Sequence, residues 1–186
     1  QFVDGNDTTS YVAFYNFGNT GQNQMDNMVS GYTYAGTLVP DVEYLGNSRA
    51  VAFRDDGFEI YRGKQIPEEV KTVKVEDEIL AVCSDDSYIG IVFRETGKSS
   101  DYRMDIYNSR GELECSTGVD MAFDHMAISK DQILLYNNNE FAVYTTKGVC
   151  RYQGAIKEGN LQSFFKVARN RYMAVLDGGV ETIKLK

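Results

Sequence analysis

One hairpin is written into this sequence four times, and no other feature narrows the choice of fold as much. Each copy has an apolar run, a polar turn and an alternating run that ends in Tyr or Ile. In most copies a Gly follows within a few residues. The first reads Ala50–Phe53, Asp55–Gly57 and Phe58–Tyr61, with Gly63 after it. The second is Ile89–Phe93 and Met104–Tyr107, with Gly111. The third is Ile133–Tyr136, Asn137–Glu140 and Phe141–Tyr144, with Gly148. The last is Tyr172–Leu176, Asp177–Gly179 and Val180–Ile183. A further segment, Val12–Tyr15 followed by Gly18, keeps the second strand alone. The anchor positions Tyr15, Tyr61, Tyr107, Tyr144 and Ile183 are 46, 46, 37 and 39 residues apart. Self-similarity at that period marks a repeat architecture built from four-stranded units.

The other strands fit around these hairpins. An apolar segment precedes each: Val42–Leu45, Ile79–Cys83, Met126–Ile128 and Phe164–Val167. Another follows the anchors at Met28–Tyr34, Thr72–Val75, Leu113–Ser116 and Val149–Gln153. The expected fold is therefore all-β, a β-propeller of four-stranded antiparallel blades with strands a to d running outward. Strand b, covered on both faces, should be apolar throughout rather than alternating. A β-sandwich also supplies many short strands, but it does not explain one hairpin recurring at one spacing. Complete blades are expected at Pro40–Val75, Glu76–Asp120 and Met121–Gly159. A partial blade falls at Gln1–Val39, with Gln1–Asp4 as the remnant of its strand b, and another at Leu161–Lys186. The chain should thus hold an incomplete set of blades, whose open edges pair with missing upstream blades or a neighbouring chain. The Gly/Asn/Gln-rich stretch Asn16–Ser30 reads as a loop inserted in the first c–d hairpin.

Composition excludes several classes. Net charge is −8, and the 19 Lys and Arg are scattered among 27 Asp and Glu, which excludes a nucleic-acid partner. No run of apolar residues is long enough to span a membrane and no signal-peptide pattern opens the chain, so the chain as it stands is expected to be soluble. Cys83, Cys115 and Cys150 are an odd number without C-x-x-C spacing. They predict neither a disulfide nor a zinc site, and read as small apolar residues within strands.

No catalytic, metal or cofactor constellation is present. The single His, His125, opens an inner strand and has no nucleophile-elbow partner. The acidic turns Asp55–Gly57, Asp85–Ser87 and Asp177–Gly179 carry hairpin-turn chemistry, and none has the ligand spacing of a calcium loop. Gly18–Gly21 precedes no helix and so is no phosphate loop.

Three segments carry a more specific likeness: VAFYNFGNTGQNQMDNMVSGYTY (Val12–Tyr34), YRMDIYNSRG (Tyr102–Gly111) and ETIKLK (Glu181–Lys186). With these the chain resembles a family of uncharacterised proteins from Firmicutes, gut clostridia above all, known as a domain of unknown function. The resemblance implies a membrane-anchored protein with an N-terminal transmembrane helix absent from this chain. Beyond that helix lies an extracytoplasmic propeller-like domain, whose C-terminal half this chain would match. It carries over no functional residues.

The expected function is a non-enzymatic, extracytoplasmic, cell-surface binding or scaffold domain, with a protein or carbohydrate as ligand. In a propeller the d–a and b–c loops share one face. That nominates Asp41, Asp77, Asp124 and His125 from the first set, and Arg54, Asp55, Arg94, Asn138 and Asp177 from the second. The alternative is a carbohydrate-active hydrolase or lyase on the same scaffold, which a close pair of buried carboxylates would favour.

Overall fold

The computed structural model describes residues 2–4, 7–16, 27–95 and 100–185, and its regular elements are all β-strands. Gly18 and most of the Asn16–Ser30 stretch lie outside the described residues. The strands form five sheets, each in chain order. The first holds β1 (Phe2–Asp4), β2 (Asp7–Tyr15) and β3 (Met28–Ala35). The second holds β4 (Asp41–Tyr44), β5 (Arg49–Arg54), β6 (Gly57–Arg62) and β7 (Glu68–Lys74). The third holds β8 (Ile79–Ser84), β9 (Tyr88–Arg94), β10 (Tyr102–Asn108) and β11 (Leu113–Val119). The fourth holds β12 (His125–Ser129), β13 (Gln132–Tyr136), β14 (Glu140–Thr145) and β15 (Cys150–Ala155). The fifth holds β16 (Leu161–Ala168), β17 (Arg171–Leu176) and β18 (Gly179–Lys184).

The repeat seen in the sequence is a repeat of register. The anchor residue of each hairpin faces the same step of the strand before it: Ala50 opposite Tyr61, Ile89 opposite Tyr107, Ile133 opposite Tyr144, Tyr172 opposite Ile183. On its other side the anchor meets a β-bulge. The pairing slips by one residue between Phe14 and Tyr15, Ile60 and Tyr61, Ile106 and Tyr107, and Val143 and Tyr144. The outer strand thereby carries one extra residue at Val29, Val70, Glu114 or Arg151, which bends the strand and strengthens its twist.

Two compact units make up the chain, Gln1–Ile79 with Ser109–Gly111, and Leu80–Asn108 with Glu112–Lys186. In the first, Val12, Phe14 and Tyr34 pack against Ala50, Ala52 and Tyr61. The turn between β5 and β6 depends on Gly57, whose φ is 138°. A Cβ there would lie 2.0 Å from the Val73 carbonyl oxygen, so only glycine fits.

The second unit explains the continuous apolar runs. Ile133 and Leu135 of β13 enter one core with Val92, Met104 and Ile106. Leu134 and Tyr136, pointing the other way, enter a second core with Phe164, Tyr172 and Ala174. A strand that alternates between two cores has no polar face to show. Phe164 stacks on Tyr172 at 5.3 Å and meets Phe141 at 4.6 Å. None of the three cysteines is in a disulfide, and each lies within a strand. The apolar reading needs correction at one of them. Cys83 is buried, but Cys150 is exposed, because β15 is solvated along most of its length.

Candidate functional site

The loop residues nominated from sequence fall into two groups. In the first unit Asp41 opens β4 and accepts the Val42 N–H at 2.8 Å. Asp55 is exposed in its turn, and its N–H donates to the Leu38 carbonyl at 3.0 Å, which holds the turn against the link from β3 to β4. Ser10 fixes that link from the other side, donating to Thr37 and accepting from Val39. Asp77 is exposed in the link from β7 to β8.

In the second unit the backbone gathers four of the nominated residues at one end of two neighbouring sheets. The Asp124 N–H bonds the Tyr136 carbonyl at 3.0 Å, and the His125 ring stacks on Tyr136 at 4.8 Å. Asn138 accepts from the Leu161 N–H through its carbonyl. The adjacent Asn160 donates its backbone N–H and its side-chain amide to Asp177 at 3.1 and 2.9 Å, holding that carboxyl below its ordinary pKa. Asp124, His125, Asn138 and Asp177 are all exposed; Asp124 and Asn138 line a shallow recess with Asn139 and Glu140, and Asp177 lines another with Glu158 and Gly159. Arg94 stands exposed at the end of β9.

Arg54, also nominated, is buried. It bonds Asp56 with two nitrogens at 2.7 and 2.8 Å and donates to Glu59 with a third. Glu59, 5% exposed, further accepts the hydroxyls of Tyr34 and Tyr61, the latter at 2.9 Å. Burial raises the Glu59 pKa and nearby Glu69 adds to this, while Arg54 pulls the other way. Asp105 holds the same place in the third sheet, two residues before its anchor Tyr107. It accepts from Arg103 at 3.1 Å and Ser116 at 2.6 Å, and Arg103 also reaches Glu95 and lies over the Phe93 ring. Burial pushes the Tyr107 hydroxyl up to about 12. Sequence reasoning missed this recurring acid, although its signal is visible as Glu59 and Asp105 inside otherwise apolar runs.

The sequence also gave no sign of a cavity of about 140 Å³ in the first unit, between the β2–β3 hairpin and the β4–β7 sheet. Phe14 and Tyr61 form its floor, with rings 5.1 Å apart. Exposed Tyr44 stands on its rim with Asn47, Arg49, Lys64 and Gln65. The hydroxyls of Ser30 and Tyr32 both donate to the Pro67 carbonyl, at 2.9 and 2.8 Å, and fasten the β6–β7 loop to β3. Gly63 donates to the Ser48 carbonyl at 3.0 Å and joins that loop to the β4–β5 turn.

Among the described residues no group of three or more His, Cys, Asp or Glu side chains is placed to hold a metal ion. No helix there is long and apolar enough to cross a membrane.

Four-stranded antiparallel sheets joined by this repeated hairpin define a β-propeller, and solved propellers share the fold. BamB from Moraxella catarrhalis matches with a TM-score of 0.54 at 17% identity, over 80% of this chain and 47% of its own. A BBS1 fragment solved in complex with an ARL6 fragment matches at 0.55 and 12%, over 82% and 55%. Hsv2 of Kluyveromyces lactis gives 0.53 and 13%, over 80% and 46%. The chain thus spans about half the length of these proteins. The protein belongs to the family of unknown function DUF5711, whose model matches residues 1–185. No curated protein matches its sequence.

Proposed function

We propose that this chain is part of a non-enzymatic binding or scaffold domain on the extracytoplasmic side of a membrane-anchored protein from Firmicutes, corresponding to the C-terminal half of that domain. It engages a partner protein through the loop end of the second unit. The observation that carries this reading is the gathering of Asp124, His125, Asn138 and Asp177 there. Their backbones are fixed by hydrogen bonds and their side chains face solvent. Such a surface is rigid before binding, which lowers the entropic cost of association. The buried carboxylates support binding over hydrolysis. Glu59 and Asp105 each hold a guanidinium and a hydroxyl, so neither stands ready to receive or give a proton to a substrate.

The open sheet edges fit the same role. In β18, Val180 is 61% exposed and Glu181 is exposed beside it, on an edge to which upstream blades or a neighbouring chain would add a strand.

The test uses the full-length protein in its own cells, with a photo-crosslinking amino acid at Asn138 or Asp177 and a control at Glu112. A discrete adduct from the loop positions and none from the control supports the reading. Equal labelling from all three, or none, refutes it.

A further inference from the structure

We propose that the cavity between the β2–β3 hairpin and the β4–β7 sheet binds a single six-membered ring bearing a carboxylate, an acidic sugar or an aromatic acid. Its charge is the first reason. The chain has 27 Asp and Glu against 19 Lys and Arg, yet among the described residues the cavity is lined by Arg49 and Lys64 and by no carboxylate. An anion would be repelled by most of this protein and accepted there.

The state of those cations is the second reason. Lys64 is exposed and makes no hydrogen bond or ion pair with any described residue. Arg49 reaches the Ser109 hydroxyl at the long distance of 3.5 Å. Both groups therefore have donors to give, in contrast to Arg54 and Arg103, whose guanidiniums are engaged by carboxylates.

Size and shape supply the third. A cavity of roughly 150 Å³ admits one benzene-sized ring, and this one measures about 140 Å³. Tyr44, 71% exposed on the rim, offers a ring face to stack on, while Asn47 and Gln65 offer amides to hydroxyl groups. The frame is fixed in advance by the two bonds onto the Pro67 carbonyl and by the Gly63–Ser48 bond.

The site is separate from the loop end proposed above, and its test does not depend on that proposal. Ligand-observed NMR and calorimetry on the full-length protein would compare glucuronate, benzoate and neutral glucose. The same titrations would follow in Lys64→Glu and Tyr44→Ala, both at exposed positions where folding, checked by circular dichroism, is expected to be unaffected. Binding of glucuronate alone assigns a sugar acid, binding of benzoate alone an aromatic acid, and binding of both the ring acid more broadly. Reversing the Lys64 charge should weaken the bound acid by about tenfold or more, the equivalent of one charge-assisted contact. Failure of both acids to bind overturns the proposal. So does glucose binding as tightly as glucuronate, or affinity unchanged in both variants.

Discussion

The Tyr61 hydroxyl donates at 2.9 Å to the carboxylate of Glu59, two residues earlier on the same strand and on the same face. This joins the anchor of the repeat to the one acid of its strand, and Tyr34 adds a second hydroxyl to the same oxygen. Tyr61→Phe should cost about 1 kcal/mol, since one donor of three is lost. Arg54→Ala should cost about 3–5 kcal/mol, because it strands a buried carboxylate without its cation. Urea unfolding of both variants against wild type checks the order, and equal costs would mean that the ion pair is not the principal partner of Glu59.

Gly57→Ala should destabilise by more than about 1 kcal/mol, because the residue combines positive φ with contact on the Val73 carbonyl. Gly178→Ala, where an added Cβ meets nothing within 4 Å, should stay within about 0.5 kcal/mol of wild type. Thermal melts of the pair read the difference.

Two carboxyls act on the pH dependence of stability in opposite directions. Lys166 bonds Asp131 at 3.1 Å and lowers its pKa below 3.8. The contribution of that pair is present above pH 3.8 and is lost as pH falls through the lower folded value. Glu59 is raised above 4.5, so its protonated form favours the fold. That contribution is present below 4.5 and is lost as pH rises through the folded value. Carbon NMR of the two carboxyls should show Asp131 returning towards 3.8 in Lys166→Met, with Glu59 unmoved.

Thiol labelling separates the cysteines. Cys150 should react at once with a maleimide in the native protein, and Cys83 only after unfolding. In intact cells, a maleimide that cannot cross membranes should reach Cys150 if the domain is extracytoplasmic. Protection until lysis would count against that location.

The hairpins were legible in the sequence because burial on both sides leaves a plain mark. Ile89–Phe93 and Ile133–Tyr136 are apolar at every step but Gly90, and Asp56–Gly57 announces its turn. The ion network was less legible, because Arg54 and Glu59 meet across a hairpin turn and each alone resembles a surface charge. The cavity left no local trace, since it is assembled from the ends of two hairpins and an aromatic floor contributed by two sheets. The bulges were hidden for another reason. The outer strands are largely solvated there, so an extra residue such as Val70 or Glu114 breaks no apolar pattern.

Those slips have a consequence for how such a chain can grow. An extra residue at the same step in four sheets leaves each outer strand set off by one position from its neighbour. A segment copied from one anchor to the next would carry the offset with it and dock without adjustment. Deleting Val70 alone would keep Lys71 opposite Ile60 and Glu69 opposite Tyr61 but remove the bulge, straightening β7 and costing it the twist that the other outer strands share. Lineages descended from such copying should tolerate the gain or loss of whole blades more readily than the loss of a single outer-strand residue.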